Sequence, residues 1–141
     1  MTTTAASYVI RVHRPESIDE LRPRVIELLK AEDFGILTEI DVAATLREKL
    51  DIERDPYLIL GACNPKLAHR ALEAEPSIGA LLPCNVTLRT EDGGTTVEFM
   101  DPQAALGIVD NDEVSSIAAE ARERLVRVAA ALGADDGRET A

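Results

Sequence analysis

Seven almost wholly apolar residues, Tyr57-Leu58-Ile59-Leu60-Gly61-Ala62-Cys63, run straight into Asn64-Pro65. A run of that length rich in branched residues predicts a central β-strand covered on both faces. Asn as N-cap with Pro at the first helical position predicts that a helix starts at once. Little room is left for a turn, so the strand must deliver the chain directly onto a helix. This junction places Cys63 and Asn64 where extended backbone gives way to helical backbone.

The rest of the chain falls into place around it. Tyr8, Ile10 and Val12 alternate with Val9, Arg11 and His13 as a half-buried strand that Arg14-Pro15-Glu16 ends. Ser17-Ile18-Asp19-Glu20 reads as a capping box, and Ile18, Leu21, Val25, Leu28 and Leu29 follow at helical spacing to about Glu32. Pro23 lies past the first turn and predicts a kink or a late start. Phe34-Gly35 ends the helix. Ile36, Thr38 and Ile40 then form a second strand, and Asp41 caps a short helix bearing Val42, Leu46 and Leu50.

After Asn64, the residues Leu67, Ala68, Ala71 and Leu72 make a buried stripe that Pro76 terminates. The apolar loop Pro76 to Pro83 wants cover and is expected to serve as an interface. Cys84, Val86 and Leu88 alternate with Asn85, Thr87 and Arg89, Asp92-Gly93-Gly94 is hairpin chemistry, and Thr95, Val97 and Phe99 return. Asp101-Pro102 opens a turn of helix that Gly107 breaks. Asp110 or Asn111 caps a last helix with Val114, Ile117, Ala118, Ala121, Leu125, Val128 and Leu132 on one stripe, closed by Gly133.

Helix–strand alternation that ends in a hairpin predicts an α+β fold. The expected architecture is one domain over residues 7–133. It has a mostly antiparallel sheet of about five strands, in the order β-α-β-β-α-β-β, with helices on one face and a further C-terminal helix. Residues 1–6 and the acidic tail 134–141 are expected to be disordered.

Charge narrows the partners. The 141 residues carry 15 Lys+Arg against 26 Asp+Glu, a formal net charge of −11. Such a field repels polyanions, so neither nucleic acid nor an anionic membrane is an expected partner. No run approaches the roughly 18 apolar residues of a membrane span, and the N-terminus lacks the pattern of a secretory signal. A cytoplasmic setting is expected, with Cys63 and Cys84 as free thiols.

Three segments resemble a known family, the bacterial and archaeal domain of unknown function 302. These are Gly35-Ile36-Leu37-Thr38-Glu39-Ile40-Asp41, Ile59-Leu60-Gly61-Ala62-Cys63-Asn64-Pro65-Lys66 and Leu81-Leu82-Pro83-Cys84-Asn85-Val86. The likeness spans Tyr8 to Leu106. It implies a compact α+β fold of the TATA-binding-protein-like type and a tendency to form homodimers, and it implies no activity.

Chemistry-bearing residues are sparse. Cys63 beside a helix N-terminus could be a thiolate stabilised by amide dipoles, or a small apolar residue closing a core strand. Cys84 likewise precedes an asparagine, 21 residues on, and the two thiols meet only if their strand ends converge. Two thiols do not complete a structural zinc site, and His69 lies opposite the apolar stripe of its helix and faces outward. His13 ends a strand with no nucleophile near it, and no serine stands in a strand–turn–helix context. Glu39 and Asp41 share a strand face, where Asp41 is explained as an N-cap. The stripe Asn85, Thr87 and Arg89 could line a shallow pocket in which Arg89 suits a carboxylate.

The candidate ligand-binding set is therefore Asp41, Cys63, Asn64, Cys84, Asn85 and Arg89, with no catalytic residue, metal or cofactor. The expected function is a homodimeric binding or accessory module for a small polar or anionic ligand. The Ile78–Leu82 loop, with the last helix, would supply the dimer contact. The alternative is a thiol-dependent redox or metal-handling protein using Cys63 with Cys84.

Overall fold

A computed structural model describes residues 7–134. The expected tails, 1–6 and most of 134–141, lie outside the described residues. Five strands, β1 (Val9–Arg14), β2 (Gly35–Asp41), β3 (Tyr57–Cys63), β4 (Cys84–Glu91) and β5 (Gly94–Met100), form one sheet in the order β1-β5-β4-β3-β2. Every neighbouring pair is antiparallel. The helices are α1 (Ile18–Ala31), α2 (Val42–Leu50), α3 (Pro65–Ala74), α4 (Pro102–Ala105) and α5 (Asp112–Ala134). Single 3₁₀ segments lie at Pro76–Leu81 and Leu106–Ile108.

Local chemistry sets the boundaries. The Ser17 hydroxyl accepts from the Glu20 amide while the Glu20 carboxylate accepts from the Ser17 amide, so α1 begins on a complete capping box. The helix runs unbroken through Pro23, without the late start that residue suggested. It ends at Ala31 with Glu32 as its C-cap, close to the expected end, and the turn beyond it is made at Asp33. Asp33 takes the left-handed conformation at φ 68°, and the Phe34 amide reaches back to the Leu29 carbonyl at 2.9 Å. Gly35 is thereby free to open β2.

In the β4–β5 hairpin, Glu91 pairs with Gly94, and the two loop residues Asp92 and Gly93 sit at φ 51° and 77°. Two successive positive φ angles are the twist that a two-residue hairpin loop requires. Asn111 caps α5, its Oδ1 accepting from the Glu113 and Val114 amides, and the helix continues through Gly133.

One face of the sheet carries the core. Leu58, Leu60, Val86, Leu88, Val97 and Phe99 are buried against α1, α3 and α5. α5 contributes the expected stripe, with Val114, Ile117, Leu125, Val128 and Leu132 all buried. The other face is less covered. Tyr57 and Ile59 remain partly exposed, so β3 is covered on one face and not on both. Among the described residues, no helix is long and apolar enough to cross a membrane.

The Pro76–Pro83 segment is not the uncovered loop that its composition implied. Ile78 is 1% exposed in this chain's own core, and Leu81 and Leu82 pack against that core. The α5 stripe is consumed in the same way. What the Ile78–Leu82 segment leaves at the surface is Gly79 and Ala80, with Leu81 and Leu82 half-buried. Exposed apolar side chains also lie on β2, at the end of α2 and just beyond it, at Leu37, Ile40, Leu50 and Ile52.

Candidate functional site

At one end of the sheet β3 stops at Cys63 and β4 begins at Cys84, and the ladder pairs Ala62 with Cys84. The strand ends therefore converge. Where they separate from the helices a hollow of about 350 Å³ opens. Leu67, Ala68, Ala71 and Leu72 form its α3 wall, and Leu82 and Pro83 come from the segment before β4. Pro102, Leu106, Ile117 and Ala121 close it from the C-terminal third of the chain, while Leu37 of β2 stands at its rim. Both thiols and Asn64 line it, and no ionisable side chain other than the two cysteines does.

Asn64 is 6% exposed, and its Oδ1 accepts from the Leu67 amide at 3.2 Å. That bond fixes the amide orientation and leaves the side-chain nitrogen as a donor; among the described residues it has no partner within the chain. Cys63 and Cys84 are both free thiols. Burial raises the Cys63 pKa above its ordinary value. For Cys84, burial and then the nearness of Cys63 push it up to about 11. An apolar wall disfavours thiolate, and here it outweighs what the start of α3 offers.

The other candidates lie elsewhere. Asp41 caps α2, its Oδ1 accepting from the Ala44 amide at 2.9 Å. With Glu39 it borders a second hollow of about 260 Å³ near the start of α1. Glu39 is held there by Arg22, with Nε to Oε2 at 3.0 Å. Asn85 is exposed, opposite Gly61 in the ladder. Arg89 does not wait for an anion. Its guanidinium donates to Glu98 at 2.6 Å and to Glu91 at 3.3 Å, and its pKa is raised chiefly by the bond to Glu98. Glu98 in turn accepts from Arg11 at 2.8 Å. His13 bonds Thr96 at 3.0 Å, and both His13 and His69 are exposed.

Of the six candidates, then, Cys63, Asn64 and Cys84 share one hollow, whereas Asp41, Asn85 and Arg89 lie outside it. Sequence reasoning missed Pro102, Leu106, Ile117 and Ala121 as lining residues. Their apolar character was read as core, and nothing local distinguishes a side chain that meets a neighbour from one that meets a cavity.

The sequence profile of the family described as Domain of unknown function DUF302 matches residues 10–132. Among solved structures, the chain is similar to the uncharacterized conserved protein DUF302 from Bacillus stearothermophilus. Identity is 30%, the alignment covers 89% of this chain and 98% of that one, and the TM-score is 0.82. No curated protein matches.

Proposed function

The chain belongs to the DUF302 family, and on that footing we propose that it is a small-ligand-binding module whose ligand is apolar. The hollow beside Cys63 and Cys84 carries this reading. Its volume, about 350 Å³, lies within the roughly 300–1,000 Å³ of small-molecule sites. Its walls are aliphatic, so the gain on binding is removal of apolar surface from water on both partners. An anion would find no cation there, because no Lys, Arg or His lines the hollow and Arg89 is committed to Glu98 and Glu91. A hydrogen-bond acceptor on the ligand would be met by the Asn64 amide nitrogen.

The module works as a binder without an assembled catalytic set, in the cytoplasm, where both thiols stay reduced. It self-associates through the β2 edge, where Leu37 and Ile40 are exposed and where Leu37 also borders the hollow.

The neutral fluorescent probe N-phenyl-1-naphthylamine tests the binding. It should bind the full chain at one site, and Ala68→Phe, which projects a ring into the hollow from a partly exposed helix position, should weaken it at least tenfold. A probe that does not bind, or binds Ala68→Phe equally well while circular dichroism shows the variant folded, would reject the proposal.

A further inference from the structure

We propose that the hollow at the start of α3 takes an uncharged lipophilic carbonyl compound, an aliphatic ketone or ester, whose oxygen accepts a hydrogen bond from the Asn64 side-chain amide. This rests on the apolar-ligand reading and names the class of ligand within it.

Among the residues lining the hollow, Asn64 is the one polar side chain besides the thiols, and it is 6% exposed. Its direction is held from two sides. Pro65 disfavours helical backbone at the residue before it, and Asn64 is extended at φ −99° and ψ 104°. The Oδ1 accepts from the Leu67 amide at 3.2 Å, and only the oxygen can do so, which leaves Nδ2 as the uncommitted group. Among the described residues Nδ2 has no hydrogen-bond partner.

A buried donor without an acceptor is unfavourable, and a bound hydrocarbon would seal it in that state. A ligand carbonyl would pair it. An alcohol on the same skeleton also brings an acceptor, but its hydroxyl hydrogen would meet only apolar walls and two thiols, which accept weakly. The hollow gives one hydrogen bond and has no strong acceptor to take one, so a ketone should be preferred over its alcohol.

A carboxylate fits less well. No Lys, Arg or His lines the hollow. Helix N-termini hold anions through free amides. At the start of α3, however, Pro65 has none, Leu67 gives its N–H to Asn64 Oδ1, and Ala68 gives its own to the Asn64 carbonyl at 2.8 Å. Burial favours the neutral form of both thiols, and the same surroundings would disfavour a ligand carboxylate. The partial negative charge on a carbonyl oxygen is what one amide beside the N-terminal end of a ten-residue helix can meet.

The opening suits the rest of such a molecule. Leu37 and Leu72 both line the hollow and are exposed, so its mouth is apolar. The register shift between Ile36 and Thr38 leaves Leu37 without a cross-strand partner, and a bulge of this kind re-aims a side chain out of strict alternation. An aliphatic chain would meet aliphatic side chains from the mouth inward.

The test uses the full chain at neutral pH, with bound N-phenyl-1-naphthylamine displaced by 2-decanone, 2-decanol or decanoate. The ketone should bind at least about tenfold more tightly than the alcohol, and decanoate should bind weakest. Asn64→Ser keeps an N-cap but retracts the donor, so the ketone-to-alcohol ratio should fall to about one. Should that variant fail to fold, Asn64→Asp, which also caps and has nearly the same shape, decides. In the infrared, the carbonyl stretch of bound carbon-13-labelled 2-decanone should lie below its value in hexane and return toward it in the variant. Alcohol or decanoate binding as tightly as the ketone, a ratio that the variant leaves unmoved, or an unshifted carbonyl band would overturn the assignment. Any of these with the naphthylamine probe bound rejects the carbonyl ligand alone; a probe that does not bind at all rejects it together with the apolar-ligand reading.

Discussion

Glu98 of β5 holds Arg89 of β4 at 2.6 Å and Arg11 of β1 at 2.8 Å, so one carboxylate ties three adjacent strands together on the open face of the sheet. Its side chain is only 12% exposed. Burial pushes the carboxyl pKa up, but the hydrogen bonds from Arg89 and Arg11 outweigh burial and hold it below its ordinary 4.5. A depressed folded pKa means stability that is present above 4.5 and lost as pH falls through the folded value. The melting temperature should drop steeply below that point. Glu98→Gln should cost about 2 kcal/mol at neutral pH, between the values of exposed and buried pairs, and should flatten the acid limb. A variant with the parent's acid profile would show that Glu98 is not the responsible group.

Gly94 faces a different constraint. A Cβ there would fall on the Arg14 carbonyl oxygen and lie 3.0 Å from the Pro15 Cα. Both obstacles are backbone, so no rotamer change relieves them. Gly94→Ala should destabilise by about 3 kcal/mol, measured by urea unfolding. Gly35→Ala is the control, since its Cβ would meet nothing within 4 Å, and it should change stability by under about 0.5 kcal/mol.

Features governed by near neighbours in the chain could be read from the residues alone. The Ser17–Glu20 box, the Asn64-Pro65 helix start and the Asp92-Gly93 turn each depend on contacts three or four residues apart. The hollow does not. Ala121 lines it from 58 residues beyond Cys63, and only the packed fold brings them together. Arg89 looked available for an anion because its partner lies across the hairpin. The turn at Asp92-Gly93 fixes Arg89 opposite Thr96 and Thr87 opposite Glu98, so the pairing could have been traced from the hairpin register. Ile78 misled for a simpler reason: an apolar loop residue that folds back into its own core has the same letter as one awaiting a partner.

The thiols supply a test of the alkaline side. Both are raised, and Cys84 reaches about 11 through burial and then Cys63. For a thiol the charged form is disfavoured on folding, so stability is intact below the ordinary 9.0 and is lost as pH rises from there toward 11. Iodoacetamide should modify both slowly at neutral pH, Cys63 before the more buried Cys84, with rates that climb past pH 9. Cys84→Ala should remove most of the alkaline loss of stability. Rapid alkylation of Cys84 near pH 7 would mean that its thiolate is stabilised after all, and would favour a redox role.

The proposed self-association depends on an edge that the fold leaves open. β2 is the last strand of the sheet, and Leu37 and Ile40 on it are 65% and 47% exposed. Edge strands are commonly blunted by lysine or proline, and β2 contains neither. The register shift between Ile36 and Thr38 bends the edge there but leaves Thr38 to Asp41 in regular pairing with β3. A second copy that adds its own β2 would cover these side chains and bring its backbone to the rim of the hollow beside Leu37. Each copy carries a formal charge of −11, so screening should matter. Sedimentation velocity should find a dimer that strengthens with added salt, and Ile40→Lys or Leu37→Lys should shift it to monomer with less than about 1 kcal/mol change in folding stability, because both sites are exposed. A chain that stays monomeric at high micromolar concentration in low and high salt alike would leave the β2 edge without its partner.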